Sequence, residues 1–307
     1  MKGLVLKSTG SWYEVLGDND RSYTCRTRGK LRLKGFKTTN PIAVGDYVVF
    51  SLDEEVEGQG VIDEILPREN YIIRKSVKLK SQGHIIASNI DQAILIVTLA
   101  YPRTSLGFID RFLVTAESFR IPQVLIFNKI DLLDGDARHY LAEIRSLYEN
   151  IGIQCLEVSA LTETGIEDVK DLLKGKKSLI SGHSGVGKST LINKIAPEIN
   201  QKTGEVSDYA EKGIHTTTFA EMFRIGQDTF IIDTPGIKEL GIIDIDKEEL
   251  SDYFPEMRAL QPECKFHNCT HTHEPKCAVK DAVDEGEIAE SRYMSYLSIL
   301  EGDDNRR

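Results

Sequence analysis

The chain has 307 residues, 40% hydrophobic and 28% charged, which supplies a real core and length for two or three domains. Its net charge of −10 excludes a surface that is basic all over, and its most apolar stretch, Ala93 to Leu99, is too short to span a bilayer. Met1 to Gly10 lacks the apolar run of a secretory leader, and five cysteines, three of them between 264 and 277, fit a metal site in a reducing compartment better than a disulfide framework. A cytoplasmic protein without membrane association is therefore expected. The acidity is uneven: residues 240–307 hold 16 acidic against 8 basic residues, so nucleic-acid contact elsewhere stays open.

Residues 1–68 read as short strands at Gly3–Lys7, Trp12–Leu16, Tyr23–Arg28, Asp46–Leu52 and Gly60–Leu66, separated by turn signals such as Gly17-Asp18-Asn19-Asp20. This many strands in so few residues predicts a small barrel of the OB type. Such barrels bind single-stranded nucleic acid through a basic, aromatic-bearing face. The stretch from Arg21 to Lys37 fits that use, with Arg21, Arg26, Arg28, Lys30, Arg32, Lys34 and Lys37, no acid, and Tyr23 and Phe36 interleaved. The same run could also be a solvated hairpin that keeps an edge soluble. Pro67 to Asn70 reads as a linker, and Arg74, Lys75, Lys78 and Lys80 as a solvated basic face.

From Asp91 strands and helices alternate. Ala93–Leu99, Gln123–Phe127 and Ile153–Val158 read as strands. Stripes at Phe108, Phe112, Ala116 and Phe119, at Tyr140, Leu141, Ile144, Leu147 and Tyr148, and over Ile166–Leu173 read as helices. This alternation predicts a mostly parallel sheet covered on both faces, with ligands at the carboxyl ends of its strands. Asn128-Lys129-Ile130-Asp131 falls at such an end. A carboxylate that accepts from both N1–H and N2–H of guanine separates it from adenine, and Asp131 supplies one. Asn128 can brace the loop, the Lys129 stem can cover the base, and Ile130 is a spacer turned to the core. Ser159-Ala160, at the next strand end, offers a backbone N–H to guanine O6.

Gly182-His183-Ser184-Gly185-Val186-Gly187-Lys188-Ser189 fits the phosphate-binding pattern G-x-x-x-x-G-K-[ST], between a strand at Ser178–Ser181 and a helix from Thr190 to Ala196. Glycines let several N–H groups converge on one anion, and the helix start adds its own unpaired N–H groups. Lys188 can reach the β and γ phosphates and the Ser189 hydroxyl can hold Mg²⁺. Glu198 to Thr218 reads as a switch loop. One of Thr216, Thr217 and Thr218 completes the magnesium shell, and Thr217 is taken for that role. Strands at Phe219–Ile225 and Thr229–Ile232 lead to Asp233-Thr234-Pro235-Gly236. Asp233 can hold Mg²⁺ through water and the Gly236 N–H can meet the γ phosphate.

Glu248 to Phe254 reads as a short helix. Cys264, Cys269, His271 and Cys277 form C-x4-C-x-H-x5-C. Three thiolates and an imidazole suit a closed, structural, tetrahedral zinc site. His267 and His273 are rival ligands. Ala289, Tyr293, Tyr296, Leu297 and Leu300 make a packing stripe.

The guanine-nucleotide elements occur in rotated order, with Asn128–Asp131 and Ser159-Ala160 ahead of Gly182–Ser189. With a barrel in front and a cysteine cluster behind, the whole chain resembles the circularly permuted GTPases of ribosome assembly, the ribosome small subunit-dependent GTPase A family. The resemblance implies an OB domain over 1–68, a permuted α/β P-loop GTPase domain over 69–245 and a small, mainly helical zinc domain over 246–307. It implies GTP hydrolysis with Mg²⁺, one structural zinc ion with His271 as the imidazole ligand, and contact with the small ribosomal subunit and its rRNA late in maturation. A monomer is expected. Ile237 occupies the position where many GTPases carry a water-orienting Gln, and Gly241 to Asp244 lacks the histidine that members of the family often carry there. Water positioning is then left to His215 or to a group on the ribosome. Hydrolysis is expected to be slow alone and stimulated by the subunit. The alternative is a GTP-gated RNA-binding module with negligible turnover.

Overall fold

The computed structural model describes residues 1–27, 41–75, 83–199, 220–233 and 245–302. Strands β1 (Lys2–Ser8), β2 (Tyr13–Gly17), β3 (Ser22–Thr27), β4 (Tyr47–Leu52) and β5 (Gln59–Ile65) form a closed barrel in the order β1-β2-β3-β5-β4, with β4 returning to β1. The β3–β5 pair is parallel and the others are antiparallel. Alternation builds it. Along β3, Tyr23 and Cys25 face the interior with Val15, Phe50 and Ile62, while Thr24 and Arg26 face solvent. Of the basic stretch, Arg21 and Arg26 are described, and Arg26 lies 3.8 Å from Asp53. Arg28 to Lys37 lie outside the described residues.

The segment from Pro67 to Asn70 is stitched in place. Arg68 donates from Nε and Nη2 to the buried Asp46 carboxylate, both at 2.6 Å, and Ser88 Oγ donates to the same carboxylate at 2.5 Å. Asn70 exchanges two 2.8 Å hydrogen bonds with the backbone of Ile90. Strands β6 (Tyr71–Lys75) and β7 (Gly83–Ser88) then pair as a separate ribbon. The sequence does not announce this pair. The basic residues Arg74, Lys75, Lys78 and Lys80 dominate that part of the sequence, whereas the ribbon's burial rests on Ile72, Ile85 and Ala87.

The central sheet contains β8 (Gln92–Val97), β9 (Gln123–Phe127), β10 (Gln154–Glu157), β11 (Lys177–Gly182), β12 (Glu221–Arg224) and β13 (Phe230–Asp233), in the order β10-β9-β8-β11-β13-β12. All neighbours are parallel except the β12–β13 pair. Helices α1 (Leu106–Ser118), α2 (Gly135–Asn150), α3 (Ile166–Leu173) and α4 (Lys188–Ile195) cover it. The buried strand β8 shows how two cores arise from one apolar run. Ala93, Leu95 and Val97 pack on the α1–α2 side, while Ile94 and Ile96 pack on the α3–α4 side. β12 also pairs with β1 through Lys7 and Glu221, so barrel and central sheet are one continuous sheet.

The expected helix over Glu248–Phe254 is a 3-10 turn at Leu250–Tyr253. Helix α5 (Pro255–Leu260) follows, because proline is accommodated in a first helical turn. Helices α6 (Ala278–Asp284) and α7 (Glu290–Glu301) complete this region, and its core takes in Val114 from α1. No helix among the described residues is long and apolar enough to cross a membrane.

Candidate nucleotide site and metal centre

Gly182 ends β11 and Lys188 opens α4, so residues 183–187 form the loop between strand and helix. Gly187 has φ +90° and lies so close to Asn128 that a Cβ there would sit 2.4 Å from Asn128 Nδ2. Both facts exclude any other residue. Lys188 Nζ donates to Asp233 Oδ1 at 2.7 Å. The two side chains that the sequence assigns to phosphate and to magnesium therefore converge, though 45 residues separate them. Ser189 and Thr190 are exposed in the first turn of α4, where free N–H groups and the helix dipole favour an anion. His183 stacks on Phe108 of α1, ring centroids 3.7 Å apart.

The loops after β9 and β10 meet the loop of residues 183–187 through Asn128. Its Nδ2 donates to Val186 O at 2.8 Å, and its Oδ1 accepts from the Ala160 N–H at 3.2 Å. One buried side chain thus braces the strand ends after β9, β10 and β11. Asp131 is exposed and accepts from the buried Ser159 Oγ at 2.5 Å, which fixes the carboxylate. Ile130 is buried in the core, as a spacer should be. The Ser159 N–H is used by Thr164 O. Lys129 takes a left-handed conformation and donates from Nζ to Tyr101 O at 2.7 Å. Tyr101 and Pro102 carry no motif, and only the fold brings them here. His215, Thr216, Thr217, Thr218 and Gly236 lie outside the described residues.

In the C-terminal region one ligand atom from each of Cys264, Cys269, His271 and Cys277 lies within 4.8 Å of the others. His271 Nδ1 faces the thiols, 3.3 Å from Cys277 and 3.7 Å from Cys264. His267 and His273 stand outside the group. Burial pushes the Cys269 thiol up to about 12 and raises Cys277 as well. Such thiols ionise readily only against a bound cation, so this donor set fits a metal ion. Aromatic hydroxyls support the ligand loop: Tyr293 donates to His271 O at 2.6 Å and Tyr296 to Thr270 O at 2.7 Å.

Glu274 ties the same loop by accepting from Thr270 N, Thr270 Oγ1 and Thr272 N at 2.7–3.0 Å. Burial works against its charge, but these bonds outweigh it and hold the carboxyl at about 2. A carboxylate lowered in this way stabilises the fold fully above its ordinary value of about 4.3, and that contribution fades as pH falls toward 2. Glu274→Gln is expected to weaken metal affinity at neutral pH by about tenfold, the lower end for groups that orient a ligand shell. Competition with a chromophoric chelator measures it, and unchanged affinity would remove Glu274 from this role.

Comparison with known proteins follows the same outline. The RsgA GTPase family model matches residues 65–243 and the RsgA N-terminal domain model matches residues 2–62. The chain is 53% identical over 301 residues to the small ribosomal subunit biogenesis GTPase RsgA of Bacteroides fragilis (strain YCH46), covering 98% of this chain and 96% of that protein. It is 54% identical to the protein of the same name from Christiangramia forsetii, covering 99% and 97%. Among solved structures, YjeQ from Thermotoga maritima superposes with a TM-score of 0.80 at 37% identity, covering 100% of this chain and 99% of the other. YloQ, a circularly permuted GTPase, superposes with a TM-score of 0.77 at 30% identity, covering 100% and 96%.

Proposed function

This chain belongs to the RsgA GTPase family, and from that membership we propose that it hydrolyses GTP on the small ribosomal subunit and assists the late maturation of that subunit. The observation that carries the reading is Asn128, which joins the base-reading corner to the phosphate loop at 2.8 Å. Guanine lies against Asp131, one face covered by the Lys129 stem, and the phosphates lie on residues 183–189. Mg²⁺ bound with the nucleotide neutralises charge that develops on the phosphates. Ser189 and Asp233 would hold it, with Thr217 as the further ligand. Lys188 exchanges its present partner Asp233 for phosphate oxygen.

The metal held by Cys264, Cys269, His271 and Cys277 is zinc, and its role is structural, since four protein ligands leave no open position. The domains run 1–68, 69–245 and 246–307, divisions supported by the closed barrel and by a C-terminal core built mainly from residues beyond 246. The barrel and its basic stretch contact rRNA, and the protein acts as a cytoplasmic monomer.

With Ile237 in place of a polar water-orienting side chain, the attacking water is positioned by His215 or by the ribosome. GTP turnover by purified protein should therefore rise with small subunits and not with large ones, by about 10²-fold or more, the contribution of a positioned general base or acid. Equal turnover with and without small subunits would overturn the stimulated-enzyme reading. Phosphate release limited to a single turnover would instead favour the GTP-gated RNA-binding module.

A further inference from the structure

The segment between β8 and α1 is a built loop. The Thr98 N–H donates to Thr104 Oγ1 at 3.2 Å, the Thr104 N–H donates to Thr98 O at 2.8 Å, and Thr98 Oγ1 donates to Pro102 O. Both threonines are buried. The crown of the loop is anchored on three sides. Tyr101 O holds the Lys129 ammonium at 2.7 Å. Pro102 lies against the P-loop, with its Cδ 3.3 Å from where a Cβ on Gly185 would stand. Arg103 donates to Tyr140 OH at 3.3 Å, its guanidinium 5.7 Å from that ring's centroid.

Against these anchors the Tyr101 side chain stands out. It is 83% exposed, the highest value for a large hydrophobic side chain among the described residues. Its place is set by the nucleotide's own connectivity. Phosphates on residues 183–189 and a base at Asp131 require the ribose to bridge the two. The Lys129 side chain runs along that bridge, with Cε 3.8 Å from the position of a Cβ on Gly187 and Nζ ending on Tyr101. The loop therefore sets the backbone of Tyr101 beside that bridge and leaves its phenol ring uncovered.

We propose that Tyr101 is a nucleotide-positioning residue whose ring closes over the ribose and base of bound guanine nucleotide, while its carbonyl keeps the Lys129 stem extended. This rests on the nucleotide site assigned above. The ring face supplies the contact and the hydroxyl is dispensable, because aromatic faces stack on any purine. Loss of the ring acts on dissociation, since a wall added to a preformed site slows escape more than it speeds encounter.

GDP binding to the full chain, measured by titration and stopped flow, tests it. Tyr101→Ala should weaken GDP by about tenfold, mainly through faster release, and Tyr101→Phe should restore parental binding within about twofold. A spectroscopic arm uses the one tryptophan of the chain. In the double variant Trp12→Phe, Tyr101→Trp, the introduced indole's emission should change on adding GDP. If the parent binds GDP while Tyr101→Ala binds equally well and the indole does not respond, the proposal is overturned and the site stands. A Tyr101→Phe variant as weak as Tyr101→Ala would also overturn it. A parent that binds no GDP would instead sink the site itself.

Discussion

Arg292→Ala is expected to destabilise the chain by about 3–5 kcal/mol, the range for breaking a buried ion pair from one side. Arg292 is 2% exposed and lies between the C-terminal helices and α1. It donates from Nη1 to Asp110 Oδ1 at 2.7 Å, and from Nε and Nη2 to Glu256 at 2.7 and 3.1 Å. Its guanidinium lies 4.7 Å from the Phe254 ring centroid and 5.9 Å from that of Tyr148. Tyr148 donates its own hydroxyl to Asp110 Oδ1 at 2.9 Å. Removing the cation leaves two carboxylates facing a cavity, one of them fully buried. Burial already pushes the Asp110 carboxyl up, and Arg292 is the charge that opposes the shift. Without it the carboxyl rises further. A carboxyl raised above its unfolded value loses stability as pH rises through the folded value. The deficit of the variant should therefore be larger at neutral pH than in acid. Urea midpoints at both pH values measure this, and Asp110→Asn added to Arg292→Met should recover part of the loss. A deficit below about 1 kcal/mol, the scale of an exposed pair, would mean that Arg292 does not anchor α7 to α1. The anchor has a second reach, because α1 also carries Phe108, which stacks on His183 of the P-loop.

Asp131→Asn should abolish guanine preference, with GDP affinity falling by about 10³-fold or more relative to ADP, as for sites whose polar group is left mismatched. The carboxylate offers two acceptors to the N1–H and N2–H donors of guanine. An amide replaces one acceptor by a donor and sets two donors face to face. Ser159 makes the effect sharper, because its buried hydroxyl fixes Asp131 Oδ1 at 2.5 Å and leaves the carboxylate little freedom to adapt. Competition between GDP and ADP for the site measures the ratio. A variant that still prefers GDP as strongly as the parent would place the base away from residues 128–131.

Much of this protein was legible before its fold was seen. Gly182 to Ser189 and Asn128 to Asp131 are local patterns with fixed offsets along the chain, and the fold brings the two together through Asn128. Cys264, Cys269, His271 and Cys277 are likewise close in sequence, so their spacing alone brings them within reach of one ion. The strands at Gln123–Phe127 and the helix at Ile166–Leu173 are set by strong, uninterrupted hydrophobic patterns. What escaped was structure stabilised from a distance. The β6–β7 ribbon carries its apolar residues in adjacent runs, Tyr71 to Ile73 and Ile85 to Ala87, with no strand alternation to read, and it is tied in through Asp46, Arg68 and Ser88. Asn128 could be read as a brace, but which strand ends it joins depended on sheet order, since Val186 is 58 residues away. Arg292 and Asp110 are 182 residues apart, and no local rule distinguishes that arginine from an exposed one. Tyr101 gains its place only because β8 lies between β9 and β11. Short-range order followed from residue type and spacing. Partners across the chain followed from packing, which is decided by the whole fold at once.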